Sequence, residues 1–422
     1  MNKQNLMISQ LAIALKTGKI SSSKDLDLIA FLTKNDNVSL ENWISSKSAN
    51  EFEMNKNIIK CLSSIQTKFD FNNLEKNVMS DKKEKLTQIS KKLESYGIQN
   101  NMPFEKILTI FKNNGINIQT LSKEELSIHK NSYLIELFLE KSKLNRELKQ
   151  FDNLVQSKNE NNIIQTNYNV WSSLSGRITS YSPCLQNLPS YYKDYYLPLE
   201  NHHKLYELDI TSAEVVALAY LSKESKIFDL LANKEDIYNF IGQEVFKISP
   251  NKITPEIRKM LKAITNGIFL GMSGDSIAQR INSEPFIKNK IDADKGLIIK
   301  NKILSIFPNI KNFLDEIKHK STLETHLGHE FKVKPSYKNL SFPAQNLIAT
   351  ILKSTLLLLH SKNLLKYVTN IIHDSLIISV PNDETKSQIK DIFRKCLEDI
   401  LQKDFKNMNI ELIKETKLRG EI

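Results

Sequence analysis

The sequence predicts an α+β fold, in which long helices precede a region of mixed short strands and helices. Three observations support this prediction. Residues 81–157 carry apolar residues at helical spacing under lysine-rich outer positions, as in DKKEKLTQISKKLESYG. The run HKLYELDITSAEVVALAYLS, residues 203–222, has the pattern of a strand followed by a helix. The run YVTNIIHDSLIISV, residues 367–380, has two β-type segments around a short polar pair, which predicts a hairpin.

The charge balance favours a polyanionic partner. The chain has 422 residues, with 59 Lys plus Arg against 48 Asp plus Glu, a net charge of +11. Such an excess is typical of nucleic-acid-binding proteins, because neutralised phosphates release counterions. Lysine and asparagine are abundant along the whole chain, as an AT-rich genome would also produce, so charge alone does not decide the partner.

Cysteine spacing and hydropathy indicate in which cellular compartment the protein works. Cys61, Cys184 and Cys396 are far apart and form no CxxC pair, which argues against a disulfide framework and a zinc site. No apolar run reaches the ~20 residues of a membrane span, and the first residues lack a signal-peptide cleavage pattern. We therefore expect a cytoplasmic protein with no membrane partner.

Two acidic residues stand at the ends of the expected strands. Asp209 ends the strand of the 203–222 run, and Thr211 or Ser212 is placed to cap the following helix, with Glu214 in its first turn. Asp374 follows His373 at the tip of the expected hairpin. Strand ends expose carboxylates to solvent and metal ions. Turn chemistry and a charge pair at a helix N-terminus are the alternative explanations.

The run ITPEIRKMLKAITNGIFLGMS, residues 253–273, predicts one well-defined helix. Thr254 is the expected N-cap, Pro255 occupies the first helical position, and Gly271 is placed to end the helix. Gly267 lies inside the helix, where glycine costs up to ~1 kcal/mol relative to alanine. We therefore expect another group to pack closely against the backbone at Gly267.

Three polar residues form a ridge on this helix. Arg258, Lys262 and Asn266 are spaced i, i+4 and i+8, so they share one face. Two cations one turn apart suit a polyphosphate, since arginine grips two oxygens and lysine supplies a compact charge. A solvated basic face is the alternative explanation.

Six segments resemble, in order, the motifs of the family A DNA polymerases, the DNA polymerase I family. They are SGRITSYSPCLQNLPS (175–190), LDITSAEVVALAYLS (208–222), RKMLKAITNGIFLGMS (258–273), FPNIKNFLDEI (307–317), SFPAQNLIATILK (341–353) and IIHDSLIISV (371–380). The second, third and last resemble that family's motifs A, B and C. One such match is weak, whereas six in the right order are specific.

The resemblance implies a right-hand polymerase fold, with an antiparallel palm sheet, helical fingers and a helical thumb. On this basis the thumb spans 81–164, the palm 165–225 and 300–422, and the fingers 226–299. Residues 1–80 are expected to form a helical extension of unknown role, for which an extension of the thumb and a docking surface for a protein partner are the two alternatives. We expect a cytoplasmic monomer associated with the nucleoid or a replicon, and a phage, plasmid or organelle origin stays open.

The resemblance also implies a reaction and its residues. Asp209 and Asp374 would hold two Mg²⁺ ions, with Mn²⁺ as a substitute, because two-metal sites of this kind join carboxylates to substrate phosphates. Arg258 and Lys262 would bind the triphosphate of a deoxynucleoside triphosphate. Glu214 would act as the steric gate that excludes a 2′-hydroxyl. Nucleotide contacts are also implied at two further positions of the 253–273 helix, Asn266 and Leu270.

Primed template DNA is the second expected partner. The residues whose positions match DNA-contacting positions of the family near the primer end are Arg177, Gln186, Asn187, Gln345 and His373. Minor-groove acceptors are nearly independent of sequence, which suits an enzyme that must accept every base pair.

Several residues depart from the family motifs. Asn266 and Leu270 replace aromatic residues of motif B, and Ser375 replaces a third carboxylate beside Asp374. Val216 replaces an arginine at the end of motif A, and Tyr238 replaces a histidine of the family's Asp-Ile-His segment. Both metal-binding aspartates and both helix cations are retained. We therefore expect an active but divergent enzyme, with altered fidelity or lesion bypass.

Three further expectations complete the prediction. The residues ahead of 81 are too few for the family's proofreading exonuclease, so synthesis without proofreading is expected. A single-subunit RNA polymerase is one alternative, against which Glu214 argues. The other alternative is a non-catalytic DNA-binding accessory subunit, which the departures at Asn266, Leu270 and Ser375 favour.

Overall fold

The computed structural model describes residues 49–122, 125–126, 129, 132–170, 173, 175–328, 330–401 and 410–418. The helices are α1 Ala49–Leu62, α2 Phe71–Leu74, α3 Ser80–Ser95, α4 Phe104–Asn113, α5 Tyr133–Ser157, α6 Ala213–Ser222, α7 Ser225–Ala232, α8 Ile237–Phe246, α9 Pro255–Phe269, α10 Gly274–Asn282, α11 Ala293–Ile306, α12 Pro308–His319, α13 Phe342–Ser361 and α14 Asp383–Ile400. The strands are β1 Thr67–Phe69, β2 Ile163–Ile164, β3 Asn167–Asn169, β4 Thr179–Tyr181, β5 Tyr196–Leu197, β6 Lys204–Ile210, β7 Thr322–Glu324, β8 Glu330–Lys332, β9 Val368–Ile372, β10 Ser375–Val380 and β11 Ile413–Lys417. Long helices and antiparallel sheets confirm the predicted α+β class.

A four-stranded antiparallel sheet organises the larger of two compact units. Its strand order is β11-β6-β10-β9, and the unit contains the described residues within 49–65, 167–186 and 200–417. Strands β9 and β10 form the predicted hairpin, with Ile372 paired to Ser375 and His373 and Asp374 at the tip. Strand β10 is buried along its whole length. This burial fixes its register, because a one-residue slip would turn every side chain to the opposite face.

Helix α13 supplies much of the core of this unit. Leu347, Ile351, Leu352 and Leu356 are each at most 2% exposed. The stretch Tyr337–Ser361 is long and apolar enough to cross a membrane, but 72% of its most apolar window is buried inside the protein. Core helices of globular domains also have these properties, so the stretch is weak evidence for a membrane span.

The predicted boundaries of α9 are confirmed. The Thr254 hydroxyl accepts a hydrogen bond from the backbone N–H of Ile257, and Pro255 is the first helical residue. Gly271 follows the helix with φ +91°, in the left-handed region that favours glycine. The expected close packing at Gly267 comes from Met272, whose Cε would lie 2.3 Å from an added Cβ.

Helices α10 and α11 approach each other through two glycines. A Cβ added to Gly296 would lie 2.0 Å from the carbonyl oxygen of Gly274. A Cβ added to Gly274 would lie 2.6 Å from the carbonyl oxygen of Ala293. Backbone atoms cannot move aside as a flexible side chain does, so this contact requires glycine on both helices.

The second unit contains the described residues within 66–166 and 187–199, together with residue 418. Helices α3, α4 and α5 lie where the sequence predicts long amphipathic helices. Buried Glu147 on α5 accepts a hydrogen bond from Lys82 on α3 at 2.6 Å. Tyr191 also donates to Glu147, at 3.4 Å. A buried carboxylate is costly unless paired, and these partners satisfy it.

The amino-terminal prediction is tested only in part. The helices expected within residues 1–48 lie outside the described residues. From residue 49 the chain forms α1 as expected, but β1 at Thr67–Phe69 was not predicted. It pairs with both β2 and β5 in a three-stranded sheet. A three-residue strand is too short to show a period in the sequence. The predicted boundaries of thumb, palm and fingers stay predictions.

Candidate active site

One cavity of about 310 Å³ in the larger unit gathers eight of the predicted site residues. They are Arg177, Asp209, Glu214, Lys262, Asn266, Gln345, His373 and Asp374. Four predicted residues do not line it: Gln186, Asn187, Arg258 and Leu270. The cavity therefore joins segments that are distant in sequence.

Strand register brings the two aspartates to one wall of the cavity. Strand β10 pairs antiparallel with β6, with Ser375 opposite Asp209. Asp374 immediately precedes Ser375, so the hairpin tip lies beside the end of β6. His373 adopts φ +54°, in the left-handed region, as the tight turn requires. Burial raises the pKa of the Asp374 carboxyl, and the charges of His373 and Lys262 oppose that rise.

Glu214 faces the same cavity from the first turn of α6. Gln345 Nε2 donates to Glu214 Oε1 at 3.4 Å, and Arg177 Nη2 lies 3.8 Å from the same oxygen. Burial lowers the pKa of Arg177, while the charges of Glu214 and Asp374 act in the opposite direction. Two predicted DNA-contacting residues thus hold the predicted steric gate in this structure.

Helix α6 begins as predicted, but without the expected cap. Ser212 occupies the N-cap position with φ +50° and forms no capping hydrogen bond. Its side chain interacts instead with the hydroxyl of Tyr238. The sequence could not show this, because Tyr238 is 26 residues away on α8.

The two helix cations are placed differently. Lys262 lines the cavity, whereas the Arg258 guanidinium binds Asp236, with Nε 3.0 Å and Nη2 2.5 Å from Oδ2. Asp236 also caps α8 by accepting from the backbone N–H groups of Tyr238 and Asn239. The structure therefore brings only one of the two predicted triphosphate-binding cations into the cavity, and the role predicted for Arg258 stays a prediction.

Asn266 and Leu270, the two residues that depart from motif B, also differ in their position relative to the cavity. Asn266 lines the cavity one turn beyond Lys262, and its Oδ1 accepts from the Tyr238 hydroxyl at 3.3 Å. Leu270 follows the last residue of α9 and does not line the cavity. An amide thus occupies the place at which motif B has an aromatic ring.

The side chain of Gln186 is buried and hydrogen-bonds to the backbone. It is 8% exposed, and its Nε2 donates to the carbonyl oxygens of Ile178 at 3.0 Å and Ile371 at 3.1 Å. Its Oε1 accepts from the backbone N–H of Ser180 at 3.0 Å. Asn187, by contrast, is exposed. The carboxamide of Gln186 is occupied by backbone groups, so it supports strand β9 of the hairpin, and its predicted DNA contact stays a prediction.

Glu207 is a carboxylate that the sequence analysis missed. It lies two residues before Asp209 on β6 and therefore on the same face. The hydroxyl of Ser375 donates to Glu207 Oε1 at 3.0 Å. Ser375, which replaces a carboxylate of motif C, is thus hydrogen-bonded to a carboxylate on the neighbouring strand. The alternation of Glu207 and Asp209 along β6 was the available signal.

The donor set suits a hard divalent cation. Asp209 and Asp374 present carboxylate oxygens to one cavity, and Mg²⁺ is commonly held by one or two carboxylates together with substrate phosphates and water. Among the described residues there is no group of three His, Cys, Asp or Glu side chains arranged to hold a metal ion. Two carboxylates that await substrate oxygens fit Mg²⁺ better than a closed structural site.

Comparison with solved structures supports the fold. The polymerase domain of Pol1 from M. smegmatis, in a complex with DNA primer-template and dNTP, matches with a TM-score of 0.72 at 17% sequence identity. The match covers 87% of this chain and 69% of that one. Together with the palm-like sheet and its two aspartates, it defines the fold as that of a polymerase domain.

The family follows from the sequence match. The model of DNA polymerase family A matches residues 53–418, so the chain belongs to this family. DNA polymerase I of Caldicellulosiruptor bescii is 26% identical over 261 residues, which are 56% of this chain and 30% of that protein. DNA polymerase I of Borreliella burgdorferi is 26% identical over 274 residues, 58% of this chain and 29% of that protein. The chain thus matches less than a third of the length of these relatives.

Proposed function

We propose that this chain is a template-directed DNA polymerase that adds deoxynucleotides to the 3′ end of a primer. The observation that carries the proposal is the placement of Asp209 and Asp374 on one wall of a cavity that Lys262 also lines. Membership of DNA polymerase family A supports it. So does the net charge of +11, which favours a nucleic-acid partner.

Asp209 and Asp374 would hold the divalent metal ions, Mg²⁺ or Mn²⁺ as its substitute. Metal ions held there would activate the primer hydroxyl and neutralise charge on the leaving pyrophosphate. Lys262 binds triphosphate oxygens by charge-assisted hydrogen bonds. His373, at the exposed tip of the hairpin, is placed to contact the primer terminus.

Glu214 selects the sugar in this proposal. Its carboxylate accepts a hydrogen bond from Gln345 and pairs with Arg177, and both contacts favour one position of the side chain. A fixed side chain excludes an extra 2′-hydroxyl more effectively than a mobile one. Deoxynucleoside triphosphates are therefore the expected substrates.

We also propose that DNA synthesis by this enzyme differs in accuracy from that of typical family members. Asn266 lines the cavity where the family motif has an aromatic ring, and this loss of stacking surface favours lowered fidelity or lesion bypass. Residues 53–418 match the polymerase model, so we propose that this part of the chain extends primers without a proofreading site of its own.

Primer extension on a primed template with Mg²⁺ tests the proposal, with deoxynucleotides compared with ribonucleotides. Extension with deoxynucleotides alone is the expected result, and Glu214→Ala should admit ribonucleotides. Preferred use of ribonucleotides by the wild type would favour an RNA polymerase. DNA binding without extension under Mg²⁺ or Mn²⁺ would favour the accessory-subunit alternative.

A further inference from the structure

Tyr238 is a buried residue whose ring lies beside the polar ridge of α9. It is 1% exposed, and its ring centroid lies 5.3 Å from the Arg258 guanidinium carbon and 5.9 Å from Lys262 Nζ. Its hydroxyl reaches Asn266, at 3.3 Å from Oδ1. One aromatic side chain thus contacts three successive members of the i, i+4 ridge.

The hydrogen bonds of this hydroxyl orient the Asn266 amide. A phenol has a single hydrogen to donate. Ser212 also hydrogen-bonds the Tyr238 side chain, and this bond opposes the rise in the Tyr238 pKa that burial causes. The phenol hydrogen goes to Asn266 Oδ1, because an amide oxygen can only accept. The Asn266 amide nitrogen therefore lies on the other side of the group.

The Asn266 amide nitrogen therefore presents its N–H groups away from Tyr238. Within the part of the chain that the structure describes, it has no hydrogen-bond partner. Asn266 itself lines the cavity. Without the Tyr238 hydroxyl, the amide could rotate and present its oxygen instead, because its two ends differ little in shape.

The spacing along α9 indicates what this donor meets. Lys262 and Asn266 are one helical turn apart, so their side chains lie about 5–6 Å from each other at Cβ. In a nucleotide, the group that follows the phosphates is the sugar, which carries only oxygen acceptors and hydroxyls. A nucleotide whose phosphates bind Lys262 would place its sugar beside Asn266.

We propose that Tyr238 is a positioning residue that turns the Asn266 amide N–H groups into the cavity, where they donate to an oxygen of the nucleotide sugar. This inference rests on the proposed polymerase function. The hydrogen-bonded side chains of Ser212, Tyr238 and Asn266 then contribute to nucleotide affinity. They do so through a contact with the sugar and not through the phosphates.

Calorimetric binding of dATP tests the inference. The protein is bound to a primer-template whose primer ends in a dideoxynucleotide and whose next template base is thymine, so binding occurs without chemistry. Tyr238→Phe removes the hydroxyl and keeps the ring against Arg258 and Lys262. We expect it to weaken dATP binding roughly fivefold, the effect of losing about one neutral hydrogen bond.

Two controls separate positioning from packing. In an Asn266→Ala background, Tyr238→Phe should have no further effect on dATP binding, because the two residues act through one hydrogen bond. Inorganic tripolyphosphate has no sugar, so its affinity should be unchanged by Tyr238→Phe. Asn266→Asp, which replaces the donor with an acceptor, should weaken dATP at least as much and provides the test if Tyr238→Phe does not fold.

Each contrary outcome has a separate meaning. Wild-type affinity for dATP in both Tyr238→Phe and Asn266→Asp would overturn the inference and leave the polymerase proposal standing. Equal losses of dATP and tripolyphosphate affinity would show that Tyr238 acts on the cations, which also overturns it. Failure of the wild-type complex to bind dATP would overturn the polymerase proposal, and the inference with it.

Discussion

The sheet and the helix α9 form two walls of one cavity, and their side chains are fixed in different ways. On the sheet, Asp209 and Asp374 are placed by backbone register, since β6 and β10 pair along six residues. On the helix, Arg258 and Asn266 are placed by single side-chain partners on or next to α8, Asp236 and Tyr238. Register persists when one side chain changes, whereas a side-chain pairing does not. The departures from the family motifs accordingly affect the helix wall more than the two aspartates.

The sheet wall should be the more sensitive to loss of its buried hydrogen bonds. Gln186→Met keeps the side-chain size but leaves the backbone N–H of Ser180 and the carbonyls of Ile178 and Ile371 without this partner. Each unpaired buried group costs about 1–3 kcal/mol, so a loss of about 3 kcal/mol or more is expected. Urea unfolding measures it.

The neighbouring Asn187 provides the control for Gln186. Because Asn187 is exposed, Asn187→Ala should leave the free energy of unfolding within about 0.5 kcal/mol of wild type. Equal stability of the Gln186→Met variant and the wild type would show that the sheet wall does not depend on this residue.

Glycine packing differs between α9 and the contact of α10 with α11, and a matched pair of variants measures the difference. Gly296→Ala sets a Cβ against the backbone of Gly274 and should cost about 2–3 kcal/mol of unfolding free energy. Gly267→Ala meets only the flexible end of Met272, and the higher helix propensity of alanine offsets part of the clash, so a change within about 1 kcal/mol is expected. Thermal unfolding of both variants distinguishes them, and equal losses would contradict the assigned contacts.

The smallest expected effect is the loss of nucleotide affinity when the charge of Lys262 is removed. Lys262→Ala should raise the KM for deoxynucleotides about tenfold, which corresponds to ~1.4 kcal/mol of lost binding, with little change in stability. Lys259, also on α9, is exposed and does not line the cavity. Lys259→Ala removes the same charge from the helix, so steady-state kinetics of the two variants separate a local contact from a general charge effect. Equal KM values would contradict the role of Lys262.

The sequence predicted those parts of the site that local patterns specify. The hairpin around Asp374, the end of β6 at Asp209 and the cap and stop of α9 each follow from residues within one element. The Arg258 pairing with Asp236 could not be predicted, because it joins two helices 22 residues apart through side-chain geometry. The buried role of Gln186 and the bond between Ser375 and Glu207 were missed for the same reason.

The most direct measurement is Mg²⁺-dependent primer extension by wild type and Asp374→Ala, with DNA affinity measured in parallel. We predict extension by the wild type, none by Asp374→Ala, and similar DNA binding by both. Glu207→Gln, a change on the same face of the sheet outside the cavity lining, should retain extension. Extension by Asp374→Ala at the wild-type rate would contradict the assignment of the two aspartates as the metal-binding pair.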